Sequence, residues 1–214
     1  EFLTGPEVSV LSFTDGKTIV PMISSMDHKR ALDGDMGLNT GGMGTVAPNP
    51  YYTETVAREC MEKIFIPTVN AMNAEGRTFK GCLYFGLMLT EDGPKVIEYN
   101  CRFGDPETQV VLPLLKSDLL EIMLAVAQER LSEVNVEFEN KAACCVVAAS
   151  EGYPEKYETG FEIELPEDTD AEIFVAGAKL SEDGRLLSAG GRVLGVTATS
   201  ETLGGAIEKA YSEI

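Results

Sequence analysis

An α+β fold is predicted by this sequence, with an antiparallel sheet and packed helices followed by a smaller β-rich region. Three observations carry the prediction. Two runs of alternating residues are each closed by an Asp-Gly turn. Two further stretches keep the 3.6-residue period of a helix. Near residue 140 the composition shifts to short β-like runs separated by Gly and Pro.

Residues 8–13 and 18–23 alternate as strands joined at Thr14-Asp15-Gly16-Lys17, where Asp-Gly suits the positive φ angles of a tight hairpin turn. Glu1, Phe2 and Leu3 read as the middle of a strand with no polar lead-in, so a fragment is expected. Residues 27–50 are rich in Gly, Asp, Asn and Pro, with glycines at 34, 37, 41, 42 and 44. They are expected to form a long functional loop without regular elements. Residues 53–74 keep a helical period, with Thr53 as N-cap, a break near Pro67 and Gly76 at the end.

A second hairpin is expected from 82–89 and 95–100 across Glu91-Asp92-Gly93-Pro94. Asp105-Pro106-Glu107 has the chemistry of a helix start, with Asp capping free amides and Pro in the first helical position. A helix is expected over 118–131, capped by Ser117, with apolar residues at Leu119, Leu120, Ile122, Met123, Val126 and Ala127. Residues 135–140 form a polar join, so the domain boundary is placed near 140, dividing 1–140 from 141–214. The second part carries strands near 144–149, 172–176 and 193–197, and the chain stops inside an apparent helix.

The charge balance narrows the function. Among 214 residues, 17 Lys and Arg face 35 Asp and Glu, giving a net charge of −18 with a single histidine. Tracking a nucleic-acid backbone requires a basic face, so no nucleic-acid partner is expected, and anionic membranes are disfavoured for the same reason. Apolar residues make up 44% and charged residues 24%, and no apolar run approaches the ~18 residues of a membrane span, so a soluble, cytoplasmic protein is expected. Cys60, Cys82, Cys101, Cys144 and Cys145 are odd in number and lack zinc-knuckle or C-x-x-C spacing. They are expected to be reduced and mostly buried.

The candidate chemistry sits at the end of the second hairpin. A strand period of two places Glu98, Asn100 and Arg102 on one face. A carboxylate beside an amide oxygen suits a hard cation such as Mg²⁺, and a guanidinium one step further suits a phosphate; the pair by itself also fits a solvated strand face. Gly41-Gly42-Met43-Gly44 has neither the G-x-G-x-x-G nor the Walker spacing, and serves a phosphate-binding backbone or a plain flexible turn equally. Asp27-His28-Lys29-Arg30 gathers the only histidine and two cations, suited to an anionic substrate or to an exposed hairpin end.

Five blocks in this order closely resemble the glycinamide ribonucleotide synthetase family, the phosphoribosylamine-glycine ligases of purine biosynthesis, which are ATP-grasp enzymes. They are EFLTGPEVSV at 1–10, SSMDHKR at 24–30, NTGGMGTVAPNP at 39–50, GLMLTEDGPKVIEYNCRFGDPET at 86–108 and GYPEKYETG at 152–160. The resemblance spans essentially the whole chain. It implies an ATP-grasp core followed by a small β-rich C-terminal domain. The lid and N-terminal domain of the family, with the lid lysines that clamp ATP, would belong to a missing N-terminal half of the same polypeptide.

By that resemblance, the main chain of Glu1 and Leu3 lies at the adenine and Glu7 accepts from the ribose hydroxyls. Glu98 and Asn100 ligate Mg²⁺ (or Mn²⁺), and Arg102 faces the transferring phosphoryl group. Asp105, Pro106 and Glu107 border the glycine pocket, while Gly42 with the turn around it, and Asp27 and Lys29, close over the reacting groups. Many ATP-grasp enzymes carry a further acidic metal ligand on the preceding strand, but Phe85-Gly86-Leu87-Met88 has none, so two protein ligands must suffice. The implied reaction joins glycine to 5-phosphoribosylamine through glycyl phosphate, consuming ATP. This chain alone would be close to inactive. Another ATP-grasp ligase and a non-catalytic nucleotide-binding module are the rival readings.

Overall fold

The computed structural model describes residues 1–214. After six residues without regular structure come β1 (Glu7–Thr14), β2 (Ile19–Pro21), β3 (Met26–Asp27), β4 (Arg30–Leu32), β5 (Met36–Asn39) and β6 (Gly44–Ala47). Then follow α1 (Glu54–Cys60), a π-helical turn at Met61–Phe65, α2 (Ile66–Ala74), β7 (Gly81–Thr90) and β8 (Gly93–Asn100). Next are α3 (Thr108–Val111), α4 (Leu119–Ala127) and β9 (Ala142–Ala149). The chain closes with β10 (Glu172–Val175), β11 (Ala178–Leu180), β12 (Leu186–Ser188), β13 (Arg192–Ser200) and α5 (Leu203–Ser212). No helix is long and apolar enough to cross a membrane.

Two antiparallel sheets organise the chain. The first has the order β2-β1-β7-β8 and the second β10-β13-β9-β6-β3. Both predicted hairpins are present. The second sheet crosses residue 140, because β6 pairs with β9 from Gly44 opposite Val146 to Ala47 opposite Ala143. β1 and β7 are covered on both faces. Val8, Val10, Leu83, Phe85 and Leu87 pack against Cys60, Ile64 and Phe65 of the helical segment, where the Phe65 and Phe85 rings lie 4.3 Å apart. The alternate residues Leu11, Phe13, Cys82 and Tyr84 join Val110, Val111, Ile122 and Val126 in a core that also reaches Ala143 and Cys145 of the second sheet. Ala142 and Cys144 point the other way, toward Ala206 and Ala210 of α5. Strand alternation thus buries both faces of β1 and β7 and gives β9 one face toward the first sheet and one toward α5. The cysteines are all free, four of them buried and Cys101 exposed.

Several elements differ from the sequence-based expectation. Glu1, Phe2 and Leu3 are not in a strand. Residues 27–50 hold four short strands rather than an irregular loop, including the β4–β5 hairpin. These strands have two to four residues each, too few for alternation to stand out among glycines. Thr53 caps α1 by accepting from the Val56 N–H. The break near Pro67 takes the form of the π turn, in which the Ile66 N–H reaches back to Met61 O. Pro67 has no N–H to continue an α ladder.

Asp118, not Ser117, caps α4 by accepting from the Glu121 N–H. Ser117 instead bridges to the backbone of Asn135 and Glu137. α4 ends at Ala127 in a local turn, where Glu129 is left-handed at φ +59°, Arg130 N–H donates to Ala125 O at 2.8 Å and Glu129 N–H to Val126 O at 3.3 Å; just beyond it, Leu131 N–H donates to Asp15 Oδ2 in the β1–β2 turn, a partner 116 residues away. Burial works to raise the Asp15 pKa, but backbone N–H groups of Thr18, Lys17 and Leu131 outweigh it and hold the carboxyl below its ordinary range.

Candidate active site

The site is assembled where β8 leaves the first sheet. Gly86 faces Glu98 while Leu87 faces Val96, so Ile97 is an extra residue in a β-bulge. The bulge resets the alternation. Val96 and Tyr99 both turn toward the helical layer, and Glu98 and Asn100 turn toward a polar cavity of about 130 Å³. Gly86 is required here, since a Cβ at that position would lie 2.9 Å from Glu98 Cγ.

Asp27, Lys29, Thr40, Gly41, Tyr84, Glu98, Asn100, Arg102, Asp105 and Glu107 line the cavity. All of these but Thr40 and Tyr84 belong to the residues singled out from the sequence. Arg102 lies beyond the last residue of β8, with Nη1 donating to Phe103 O at 2.9 Å. Asn100 Nδ2 donates to Glu98 Oε1 at 3.0 Å, which leaves Glu98 Oε2 and Asn100 Oδ1 without a partner in the chain. A carboxylate oxygen and an amide oxygen on adjacent same-face positions fit a hard divalent cation that takes its other ligands from water and phosphate. The lining holds four carboxylates against two cations, so a polyphosphate entering it requires such a counter-ion.

Glu107 is 4% exposed, and its Oε1 accepts from the Tyr84 hydroxyl at 2.9 Å and from Ser9 Oγ at 3.2 Å. Burial pushes the neighbouring Asp27 carboxyl up to about 7, and the Glu107 charge adds to the shift against the opposing Lys29 and Arg192. Asp27 Oδ1 is buried without a hydrogen-bond partner. Glu7 stands one contact from the cavity, with Oε2 accepting from Lys29 Nζ at 3.0 Å. Burial opposes the charge of Lys29, but Glu7 outweighs it and raises the lysine pKa.

The remaining predicted residues are placed differently. Glu1 pairs with Lys95 at the start of β8, and neither Glu1 nor Leu3 lines the cavity. Gly42 and Pro106 pack on each other behind the rim: a Cβ on Gly42, whose φ is +108°, would lie 2.5 Å from Pro106 Cδ. Asp105-Pro106 does not begin a helix as expected: it lies in the turn before α3, which starts at Thr108, and no side chain caps that helix. Asp105 Oδ1 accepts from Gln109 Nε2 instead. Of the Asp27-His28-Lys29-Arg30 segment, only the alternate residues Asp27 and Lys29 line this cavity. His28 and Arg30 line a separate cavity of about 430 Å³ beside α5.

The glycine turn is neither a phosphate cradle nor loose. Gly41 N–H donates to the Tyr153 hydroxyl at 3.0 Å, Gly42 N–H to Thr40 Oγ1 at 3.0 Å and Met43 N–H to His28 O at 2.8 Å, so these amides are already engaged. A Cβ on Gly44 would lie 2.7 Å from Cys145 O of β9. Arg192, at the start of β13, donates from Nη1 to Gly41 O at 2.7 Å and from Nη2 to Asp105 Oδ2 at 3.1 Å. Ser9, Tyr84, Tyr153 and Arg192 were not predicted. The one signal for Arg192 was the Gly190-Gly191-Arg192 sequence, which reads more readily as a turn between strands.

The two sheets and the carboxylate–amide strand that faces their shared cavity define a domain of the ATP-grasp class joined to a C-terminal domain. Residues 1–108 match the family model "Phosphoribosylglycinamide synthetase, ATP-grasp (A) domain", and residues 143–214 match "Phosphoribosylglycinamide synthetase, C domain". The chain belongs to the phosphoribosylglycinamide synthetase family. It is 50% identical over 214 residues to a phosphoribosylamine–glycine ligase of Clostridium acetobutylicum, covering 100% of this chain and 51% of that protein. Over 214 residues it is also 50% identical to the trifunctional purine biosynthetic protein adenosine-3 of Gallus gallus, covering 98% of this chain and 21% of that protein. The crystal structure of phosphoribosylamine–glycine ligase from Thermotoga maritima superposes with a TM-score of 0.89 at 38% identity, over 100% of this chain and 53% of that one. The chain spans about half the length of the single-function ligases it matches.

Proposed function

We propose that this chain is the part of a phosphoribosylamine–glycine ligase that holds the metal, the reacting phosphoryl group and the glycine. The full-length protein would convert glycine, 5-phosphoribosylamine and ATP to glycinamide ribonucleotide, ADP and phosphate through glycyl phosphate. The observation that carries this reading is the convergence of Glu98, Asn100, Arg102, Asp105 and Glu107 on one cavity with Asp27 and Lys29. Residues 1–140 are read as ATP-grasp and 141–214 as C-terminal domain, a division supported by the limits of the two matching family models.

In this reading Glu98 Oε2 and Asn100 Oδ1 hold Mg²⁺ or Mn²⁺, which when bound neutralises phosphate charge. Arg102 contributes fixed N–H donors toward the oxygens of the phosphoryl group as it passes to the glycine carboxylate. Activating a carboxylate in this way calls for alignment of two anions and charge neutralisation rather than a Ser, Cys or His nucleophile. The half-buried Asp27 and the buried Glu107 place two carboxyl groups where the cationic ammonium of glycine can meet them, with the turn at Asp105 and Pro106 bounding that side. Glu7 is assigned to the ribose, and the free backbone of Glu1 and Leu3 to the adenine. Gly42 closes the rim.

The test is glycine- and 5-phosphoribosylamine-dependent ADP release by the full-length protein, by its Glu98→Gln variant and by this chain alone. Turnover only by the full-length wild type supports the ligase. ATP hydrolysis with no requirement for glycine would defeat it.

A further inference from the structure

We infer that Arg192, assisted by Tyr153, is a positioning residue of this site: the C-terminal domain holds Gly41 through both its N–H and its carbonyl and so sets the wall of the reaction cavity. The inference rests on the ligase reading for its kinetic consequences, but its structural content is independent of them. Tyr153 accepts the Gly41 N–H at 3.0 Å, and Arg192 Nη1 donates to the carbonyl of the same residue at 2.7 Å. A third point of attachment comes from the second guanidinium nitrogen, Nη2, which donates to Asp105 Oδ2 at 3.1 Å. One largely buried guanidinium therefore ties the glycine turn to the Asp105–Pro106 turn across the cavity rim.

The glycines on each side are shaped to this grip. A Cβ on Gly41 would sit 3.0 Å from Arg192 Cζ, so the guanidinium lies directly against a residue that has no side chain. A Cβ on Gly191 would lie 2.2 Å from Tyr153 Cδ2, so the residue before Arg192 is a glycine where the tyrosine ring must pass. The Gly190-Gly191-Arg192 sequence therefore admits the tyrosine and presents the arginine in one step. A planar fork with a fixed spread of donors can hold a carbonyl and a carboxylate together, whereas an ammonium is a single point of charge. Arg192 does not line the cavity, so its influence passes through Gly41 and Asp105, which do.

The test uses the full-length protein with Arg192→Gln, Arg192→Lys and Tyr153→Phe. Arg192→Gln is expected to lower kcat/KM for glycine about 10- to 100-fold, the scale of an ångström-sized misplacement, with Mg-ADP affinity kept within about threefold. Arg192→Lys should recover less than half of the logarithmic loss, and guanidinium ion added to Arg192→Gln should recover part of it. Tyr153→Phe should shift the same parameter in the same direction by about threefold to tenfold. Amide exchange at Gly41 should quicken at least about tenfold in both Arg192→Gln and Tyr153→Phe, a readout that needs no turnover. The inference is overturned if Gly41 exchange stays at the wild-type rate in both variants, or if Arg192→Lys matches the wild type. It is also overturned if glycine and nucleotide parameters fall together with thermal stability. Failure of the wild type to use glycine, with Gly41 exchange still quickened, would reject the ligase reading alone.

Discussion

Asn100 donates its amide N–H to Glu98 Oε1 at 3.0 Å, so two residues of one strand orient each other and turn one free oxygen apiece to the same cavity. The amide cannot rotate without losing that bond. The site is thus ordered before any cation arrives, and a preorganised pair loses less conformational freedom on binding.

Glu98→Gln keeps the size of the side chain and removes its charge. Because Glu98 is exposed, the melting temperature of the full-length variant should stay close to wild type, within about 0.5 kcal/mol of stability. ADP release should fall by about 100-fold or more. Parallel measurement of melting and turnover separates the two, and proportionate losses would place Glu98 in the fold rather than the chemistry.

Asp27 makes stability depend on pH. Unfolded, its carboxyl titrates near 3.8, and folded it is pushed up to about 7 by burial and by Glu107, against Lys29, Arg192 and the His28 backbone N–H. Between those values the unfolded chain binds fewer protons, so this group lowers stability as pH rises from about 4 to about 7 and the loss persists above. Asp27→Asn should therefore be more stable than wild type by about 1–3 kcal/mol at about pH 8, with the gain vanishing toward about pH 4. Urea unfolding at the two pH values measures this, and a gain independent of pH would contradict it.

Tyr84→Phe should cost about 1–3 kcal/mol, because it leaves the buried Glu107 carboxylate with only the longer Ser9 bond. The chemical midpoint of the variant reports the loss directly. A midpoint equal to wild type would mean that water replaces the phenol.

Gly42→Ala meets both a left-handed backbone, at φ +108°, and close contacts with Pro106 Cδ at 2.5 Å and Asp27 Oδ1 at 2.6 Å. A loss of about 1–3 kcal/mol together with activity is expected. Gly204→Ala in the first turn of α5, where nothing lies within 4 Å, should instead stabilise by about 0.5–1 kcal/mol. Thermal melts of the pair check the contrast, and similar shifts of the same sign would defeat it.

Chemistry local to a few residues was legible from the outset. The Asp-Gly turns specified both hairpins because few residues tolerate positive φ, and Thr53 marked a helix start because its hydroxyl can satisfy a free amide. The spacing of Glu98, Asn100 and Arg102, read with the family resemblance, located the cavity. Other features answer to partners that no local pattern names. The facing of Glu98 depends on a bulge opposite Gly86, and the order of residues 27–50 on strand β9 and on Arg192, 151 residues from Gly41. The sequence by itself determined the two hairpin turns, the Thr53 cap and the inventory of polar groups, because these follow from backbone sterics and short-range hydrogen bonding. Only the tertiary structure decided which of those groups share a cavity, because that depends on burial and on bonds between distant residues that exist only once both sheets have packed.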